Sequence, residues 1–204
     1  MDRKLLFVGV GSFLLIGIVA AWTILFGKPA SFRGTTYAEP YPPASEFVLV
    51  RGDGSSFQFS EMRGRLVLLF FGYTSCPDVC PTTLAELNQA MGKLSEEDAG
   101  RVQVVFVTVD PERDTPERVQ EYVSHFNPSF IGLSGTEGDL TKVWNDYGVF
   151  REVVEGTSAL GYLVNHTARV TLIDADGNLR ISFSFETPVD DIVHDLKLIL
   201  EEGK

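Results

Sequence analysis

An unbroken apolar run, Leu66-Val67-Leu68-Leu69-Phe70-Phe71, leads within a few residues into Cys76-Pro77-Asp78-Val79-Cys80-Pro81, which holds the only cysteines of the 204-residue chain. A short run without polar interruption marks a strand buried on both faces, as in sheets covered by helices. Prolines at this density suit the first turn of a helix, where no backbone donor is lost. The chain therefore leaves a sheet and enters a helix at its two thiols. Residues four apart on an ideal helix lie roughly 6 Å between Cα atoms on one face, near enough for a disulfide or for two thiolates on one ion. The helix dipole there favours thiolate, the form that attacks disulfides and binds metal. The pair is a redox switch or half of a soft-metal site; passive burial of two small hydrophobes accords poorly with the flanking prolines.

The remaining pattern alternates. Phe47-Val48-Leu49-Val50 and Ser56-Phe57-Gln58-Phe59 flank Asp53-Gly54 as a hairpin. Thr82 to Leu94 carries Leu84, Leu87, Met91 and Leu94 at helical spacing, Val102 to Val109 is a second buried strand, and Thr115 caps a helix through Phe126. A short strand over Phe130 to Leu133, a helix over Asp139 to Tyr147, strands over Thr167 to Ile173 and Leu179 to Phe185, and a last helix over Pro188 to Glu201 complete the chain. This order describes an α/β mixed sheet flanked by helices, with a thioredoxin-like arrangement over residues 46–204. Sites in such sheets lie beyond the carboxyl ends of the parallel strands, where Cys76 and Cys80 fall and where Asp110 should share the rim.

Residues 1–27 differ in kind. No charged residue occurs from Leu5 to Phe26, a stretch of about 33 Å as a helix, enough to cross a bilayer. A cleaved signal peptide is the rival reading, but the apolar run continues through Trp22-Thr23-Ile24-Leu25-Phe26, so a retained N-terminal transmembrane helix is expected. Residues 28–45, with Pro29, Pro40, Pro42 and Pro43, read as an extended tether. Either way the rest of the chain is exported, on the outer (periplasmic) face of an inner membrane, or at the mitochondrial inner membrane in a eukaryotic host. The net charge is −11; Asp2, Arg3, Lys4 and Lys28 sum to +2, which leaves −13 for the remainder. Such a surface is repelled by nucleic acid.

Two thiolates hold a cuprous ion linearly, but a site that must also release copper is better served by a third, displaceable donor such as imidazole. Three histidines are available. His125 falls in the last turn of a helix, where an imidazolium suits the dipole. His194 lies beside Asp191 and Asp195 in the last helix and reads as a surface residue. His166 immediately precedes the strand from Thr167, in the loop that faces the cysteines in thioredoxin-like folds. It stands where such folds usually carry a proline, and with the two thiols it makes a donor set that suits copper or zinc. Structural zinc would want a fourth protein ligand.

Three segments in this order, Phe71-Gly72-Tyr73-Thr74-Ser75-Cys76-Pro77-Asp78-Val79-Cys80-Pro81-Thr82, Val109-Asp110-Pro111-Glu112-Arg113-Asp114-Thr115-Pro116 and Tyr162-Leu163-Val164-Asn165-His166-Thr167, resemble the Sco/SenC family of membrane-tethered copper proteins. The resemblance implies copper binding by Cys76, Cys80 and His166; two thiolates suit Cu(I), and imidazole with thiolate also stabilises Cu(II). The resemblance also implies a role in building the dinuclear copper A site of cytochrome c oxidase subunit II, with other exported copper carriers or thiol-disulfide proteins as further partners. A thiol-disulfide reductase that keeps the cysteines of that subunit reduced, with Cys76 and Cys80 as the redox pair, is the alternative. A thiol peroxidase is disfavoured, since Tyr73 and Leu69 stand where that family has threonine and proline.

Overall fold

The structure, a computed structural model, describes residues 31–158 and 161–203. Ten strands and five helices follow one another as β1 (Thr35–Thr36), β2 (Val48–Arg51), β3 (Ser56–Gln58), β4 (Leu66–Gly72), α1 (Val79–Gly92), α2 (Glu96–Gly100), β5 (Val102–Thr108), α3 (Pro116–Ser124), β6 (Ile131–Ser134), α4 (Glu137–Asp146), β7 (Arg151–Ser158), β8 (Gly161–His166), β9 (Arg169–Ile173), β10 (Leu179–Ser184) and α5 (Val189–Glu202) among the described residues. Eight of the strands form one mixed sheet in the order β1-β10-β9-β4-β5-β6-β2-β3. Every residue of β4 and of β5 is buried, as the two apolar runs require of central strands covered on both faces. Each leucine or phenylalanine side chain buried there stabilises the fold by about 1.5–3 kcal/mol.

Register decides where the ends of these strands meet. β4 and β5 are parallel with Leu66 opposite Val102 and Gly72 opposite Thr108, so the segments leaving them, Tyr73–Cys76 and Val109–Asp114, emerge side by side. β9 is antiparallel to β4, with Phe70 opposite Val170. The start of β9 therefore lies beside the end of β4. This is the thioredoxin-like fold expected from the sequence.

Three features differ from the sequence reading. The segment read as a tether is not free over its described part. Arg33 and Gly34 donate their backbone N–H groups to the Asp195 carboxylate, β1 pairs with β10, and Ala44 bonds to the Gly177 carbonyl. The stretch lacks a hydrophobic period but not backbone donors and acceptors, and it satisfies those of the otherwise open edge strand β10. The compact unit accordingly begins at Phe32. Second, the strand expected from Thr167 begins at Arg169, and His166 closes β8. Third, β7 and β8 form a separate two-stranded hairpin, with Arg151 opposite His166, that the sequence pattern did not announce. The membrane anchor expected over residues 1–27 lies outside the described residues; among those described, no helix is long and apolar enough to cross a membrane.

Candidate metal centre

The parallel register of β4 and β5 sets both cysteines at the carboxyl edge of the sheet, and the antiparallel entry of β9 returns the chain to that edge just after His166. Cys76, Cys80 and His166 are thereby brought together, each offering one donor atom within 4.8 Å of the others. Cys80 Sγ lies 3.5 Å from His166 Nε2. An ion bonded at about 2.3 Å holds its donors about 4 Å apart at 120° and about 4.6 Å apart at 180°, so the cluster has the span of a two- to three-coordinate site. Both thiols are free. The donor set is soft and lacks the fourth protein ligand of a closed zinc site.

Local sequence explains each position. Cys76 precedes α1, and its Sγ accepts the N–H of Cys80 at 3.4 Å. The N-cap residue Asp78 makes no side-chain cap bond, so the sulfur does what a capping oxygen ordinarily does. Cys80 sits in the first turn of α1 and is fully buried, whereas Cys76 is half-buried. Gly72 makes room for this: a Cβ there would stand 2.8 Å from Cys80 Sγ and 2.8 Å from the Phe106 ring. His166 Nδ1 lies 3.2 Å from the Thr167 carbonyl, which orients the ring with Nε2 toward the sulfurs. Protonated, Nε2 donates to thiolate; deprotonated, it is a metal ligand.

The Cys76 thiol is drawn down to about 4, first by the hydrogen bond from the Cys80 thiol, with further help from His166 and the N–H groups of Asp78 and Cys80, against the opposing effect of burial. The same thiol-to-thiol bond, then burial, pushes Cys80 well above its ordinary value. At neutral pH the pair therefore holds one proton, with Cys76 as thiolate. Alkylation of the reduced protein by iodoacetamide should modify Cys76 at a rate that is level between about pH 8 and about pH 5. A rate that climbs through the ordinary thiol range would contradict this. The sign for stability follows. Cys76 is lower in the folded chain than in the unfolded one, where a thiol titrates at about 8.5. Its stabilisation is complete above that value and lost as pH falls through about 4. Urea midpoints of the reduced protein should rise between about pH 5 and about pH 8, more steeply than in Cys76→Ser.

The other histidines are elsewhere. His125 is the C-cap of α3, with Nδ1 2.8 Å from the Glu121 carbonyl, and His194 pairs with Asp195 at 2.9 Å. Asp110, expected on the rim, is fully buried and ion-paired with Arg113. Four residues around the donors had no assigned part in the sequence reading. Asp114 is fully buried and accepts three bonds, from the Thr74 N–H at 3.0 Å, the Thr74 hydroxyl at 2.5 Å and the Thr108 hydroxyl at 2.6 Å, so it holds the loop that presents Cys76. The Tyr73 ring meets the His166 ring edge-on at 5.8 Å. Arg113 lies over the Tyr162 ring at 3.8 Å and donates to the Tyr162 carbonyl at 2.9 Å. All four fall inside the three segments singled out in the sequence, which was the available signal; spacing alone could not say what each touches.

Comparison with known proteins identifies the family of this fold. A model of the SCO1/SenC family matches residues 35–201. An SCO2-like protein of Rickettsia felis is 34% identical over 189 residues, 90% of this chain and 92% of that protein. Apo Sco1 of Thermus thermophilus has a TM-score of 0.75 at 39% identity, covering 84% of this chain and 99% of that one. ScoI of Arabidopsis thaliana, solved with copper bound, has a TM-score of 0.73 at 33% identity, covering 78% and 98%. Relatives in mouse and yeast carry names that place them in mitochondria. The family match runs from β1 into α5 and takes in both strand ends and the hairpin that carry the converging donors: the chain belongs to the SCO1/SenC family.

Proposed function

We propose that this protein is a membrane-tethered copper carrier that takes up Cu(I) through Cys76, Cys80 and His166. It also accommodates Cu(II), and it surrenders its cargo by ligand exchange during assembly of the dinuclear copper A site of cytochrome c oxidase subunit II. The observation that carries the reading is the meeting of two thiols and an imidazole, 86 positions apart in the chain, at one edge of the sheet. Copper-bound relatives with the same fold support the choice of metal. The charge-free stretch from Leu5 to Phe26 supports the tether. Half-buried Cys76 is the sulfur an acceptor's thiolate can approach, and His166, on a hairpin outside the main sheet, is the donor suited to leave first.

A second activity is favoured by the same thiols. Cys76 as thiolate attacks a partner's disulfide sulfur, forming a mixed disulfide and expelling one partner thiolate. Cys80, on losing its proton, attacks Cys76 Sγ; the Cys76–Cys80 disulfide forms, the second partner sulfur leaves, and two electrons have passed to the partner. The deciding experiment is anaerobic transfer of copper from the loaded domain to the reduced soluble domain of subunit II, followed spectroscopically. Transfer supports the carrier; near-zero transfer beside brisk disulfide reduction supports the reductase. Loss of His166 should separate the two. His166→Ala is expected to weaken copper binding on the order of a hundredfold, since metal sites of this donor type yield about 3 kcal/mol or more per ligand. Disulfide exchange by the cysteine pair should continue. Unchanged affinity and copper spectra in His166→Ala would remove the imidazole from the site.

A further inference from the structure

The hairpin of β7 and β8 carries His166 but shares no ladder with the main sheet. A two-stranded hairpin alone is marginal in water, so contacts with the body must decide how often His166 stands over the thiols. Arg151 of β7, opposite His166, donates through Nε to the Val109 carbonyl at 2.6 Å, and a second cluster fastens the hairpin near the far end of β8. The Tyr162 hydroxyl donates to buried Asp110 at 2.7 Å. Arg113 pairs through Nε with the same carboxylate, donates through a second nitrogen to the Tyr162 carbonyl at 2.9 Å, and lies over the Tyr162 ring, its Cζ 3.8 Å from the ring centre. Its guanidinium also stands 5.7 Å from the centre of the Tyr73 ring, which itself contacts His166. One planar cation thus touches β8, the end of β5 and the aromatic residue beside the imidazole. A lysine carries the charge but not this fork.

We propose that Arg113, Asp110 and Tyr162 form a latch that fastens the β7–β8 hairpin to the cysteine-bearing edge, and that the latch sets copper retention by holding His166 over Cys76 and Cys80. All three are positioning residues; they act through His166. Apparent affinity scales with the fraction of chains in the competent arrangement, so loosening the latch weakens binding without altering the thiols. The copper arm rests on the carrier reading above; the hairpin arm does not.

The test uses Tyr162→Phe, which removes the hydroxyl bond and keeps the ring, and Arg113→Lys, which keeps a cation and loses the fork. Each should lower cuprous affinity, measured against a competing chelator, roughly tenfold, as loss of groups that orient a ligand does. In a His166→Ala background neither should lower it further, the signature of action through that ring. In the copper-free protein, amide hydrogen exchange over Leu163–His166 should quicken in both variants, while Cys76 alkylation keeps its rate. Equal losses in both backgrounds, or faster exchange with no loss of affinity, overturn the proposal. If the wild type binds no copper, the carrier reading falls and exchange alone decides: unaltered exchange in Tyr162→Phe overturns the latch.

Discussion

Cys80→Ala should abolish copper retention against a small-molecule thiol, while the folded protein persists. Cys80 is fully buried and shares the donor cluster with Cys76 and His166. Removing its thiolate costs one ligand directly, about 3 kcal/mol or more by the per-ligand worth of thiolate and imidazole sites, or more than a hundredfold in affinity. It also removes the first cause that holds the Cys76 thiol down to about 4, so Cys76 returns toward its ordinary range and competes with protons for the metal. The two losses compound, which is why the effect exceeds that of His166→Ala. Alkylation adds a readout that needs no metal: the level pH profile of Cys76 should give way to a rise through the thiol range. With no second sulfur to resolve it, a mixed disulfide with a partner should accumulate. Copper retained at wild-type strength in Cys80→Ala would refute the site.

The largest loss of stability near the site is expected from Asp114→Ala. The carboxylate is fully buried and satisfies two hydroxyls and one backbone N–H. Bonds to a charged group contribute about 1.5–3 kcal/mol each, and the orphaned donors keep their desolvation cost. A loss of about 3–5 kcal/mol follows, which for a domain of this size lowers the melting temperature by roughly 6–20 °C. Asp114→Asn should cost less. Burial already pushes the Asp114 carboxyl above the usual range, opposed by its hydroxyl and backbone donors, so a neutral side chain of the same shape forfeits less than a truncated one. Thr74 also accepts from Arg118 Nε at 2.9 Å and lies two residues before Cys76. Copper affinity should therefore fall in the alanine variant even where it remains folded, and thermal unfolding of apo and loaded protein measured together will separate the two effects. A melting temperature within about 2 °C of wild type would mean the network contributes less than about 1 kcal/mol.

Much of this was legible in order along the chain. The unbroken apolar run of β4 and the run of β5, interrupted only by Gln103 before its closing Thr108, mark buried strands, and the Thr115 cap fixes the start of α3, its hydroxyl accepting from the Arg118 N–H. The β7–β8 hairpin was not legible. Val153 and Val154 are both exposed, so the strand shows none of the alternation that marks a half-buried one, and its identity rests on pairing with β8. The docking of residues 32–45 is hidden for a related reason: it comes from the β10 edge and from Asp195, and composition carries no record of such partners.

Residue type and spacing along the chain set out the donors: one pair of thiols, its place at a strand-to-helix junction under the pull of a helix N-terminus, and a single histidine at the entrance to the returning strand. Those are local properties, fixed by residue type and spacing. The packed fold alone sets Nε2 of that histidine 3.5 Å from Cys80, lets the buried carboxylate of Asp114 prop the Cys76 loop, and joins Arg113 to both Asp110 and β8. These depend on antiparallel register and on buried polar groups finding partners 40 to 86 positions away, and the separation of such partners leaves no period in the chain to read.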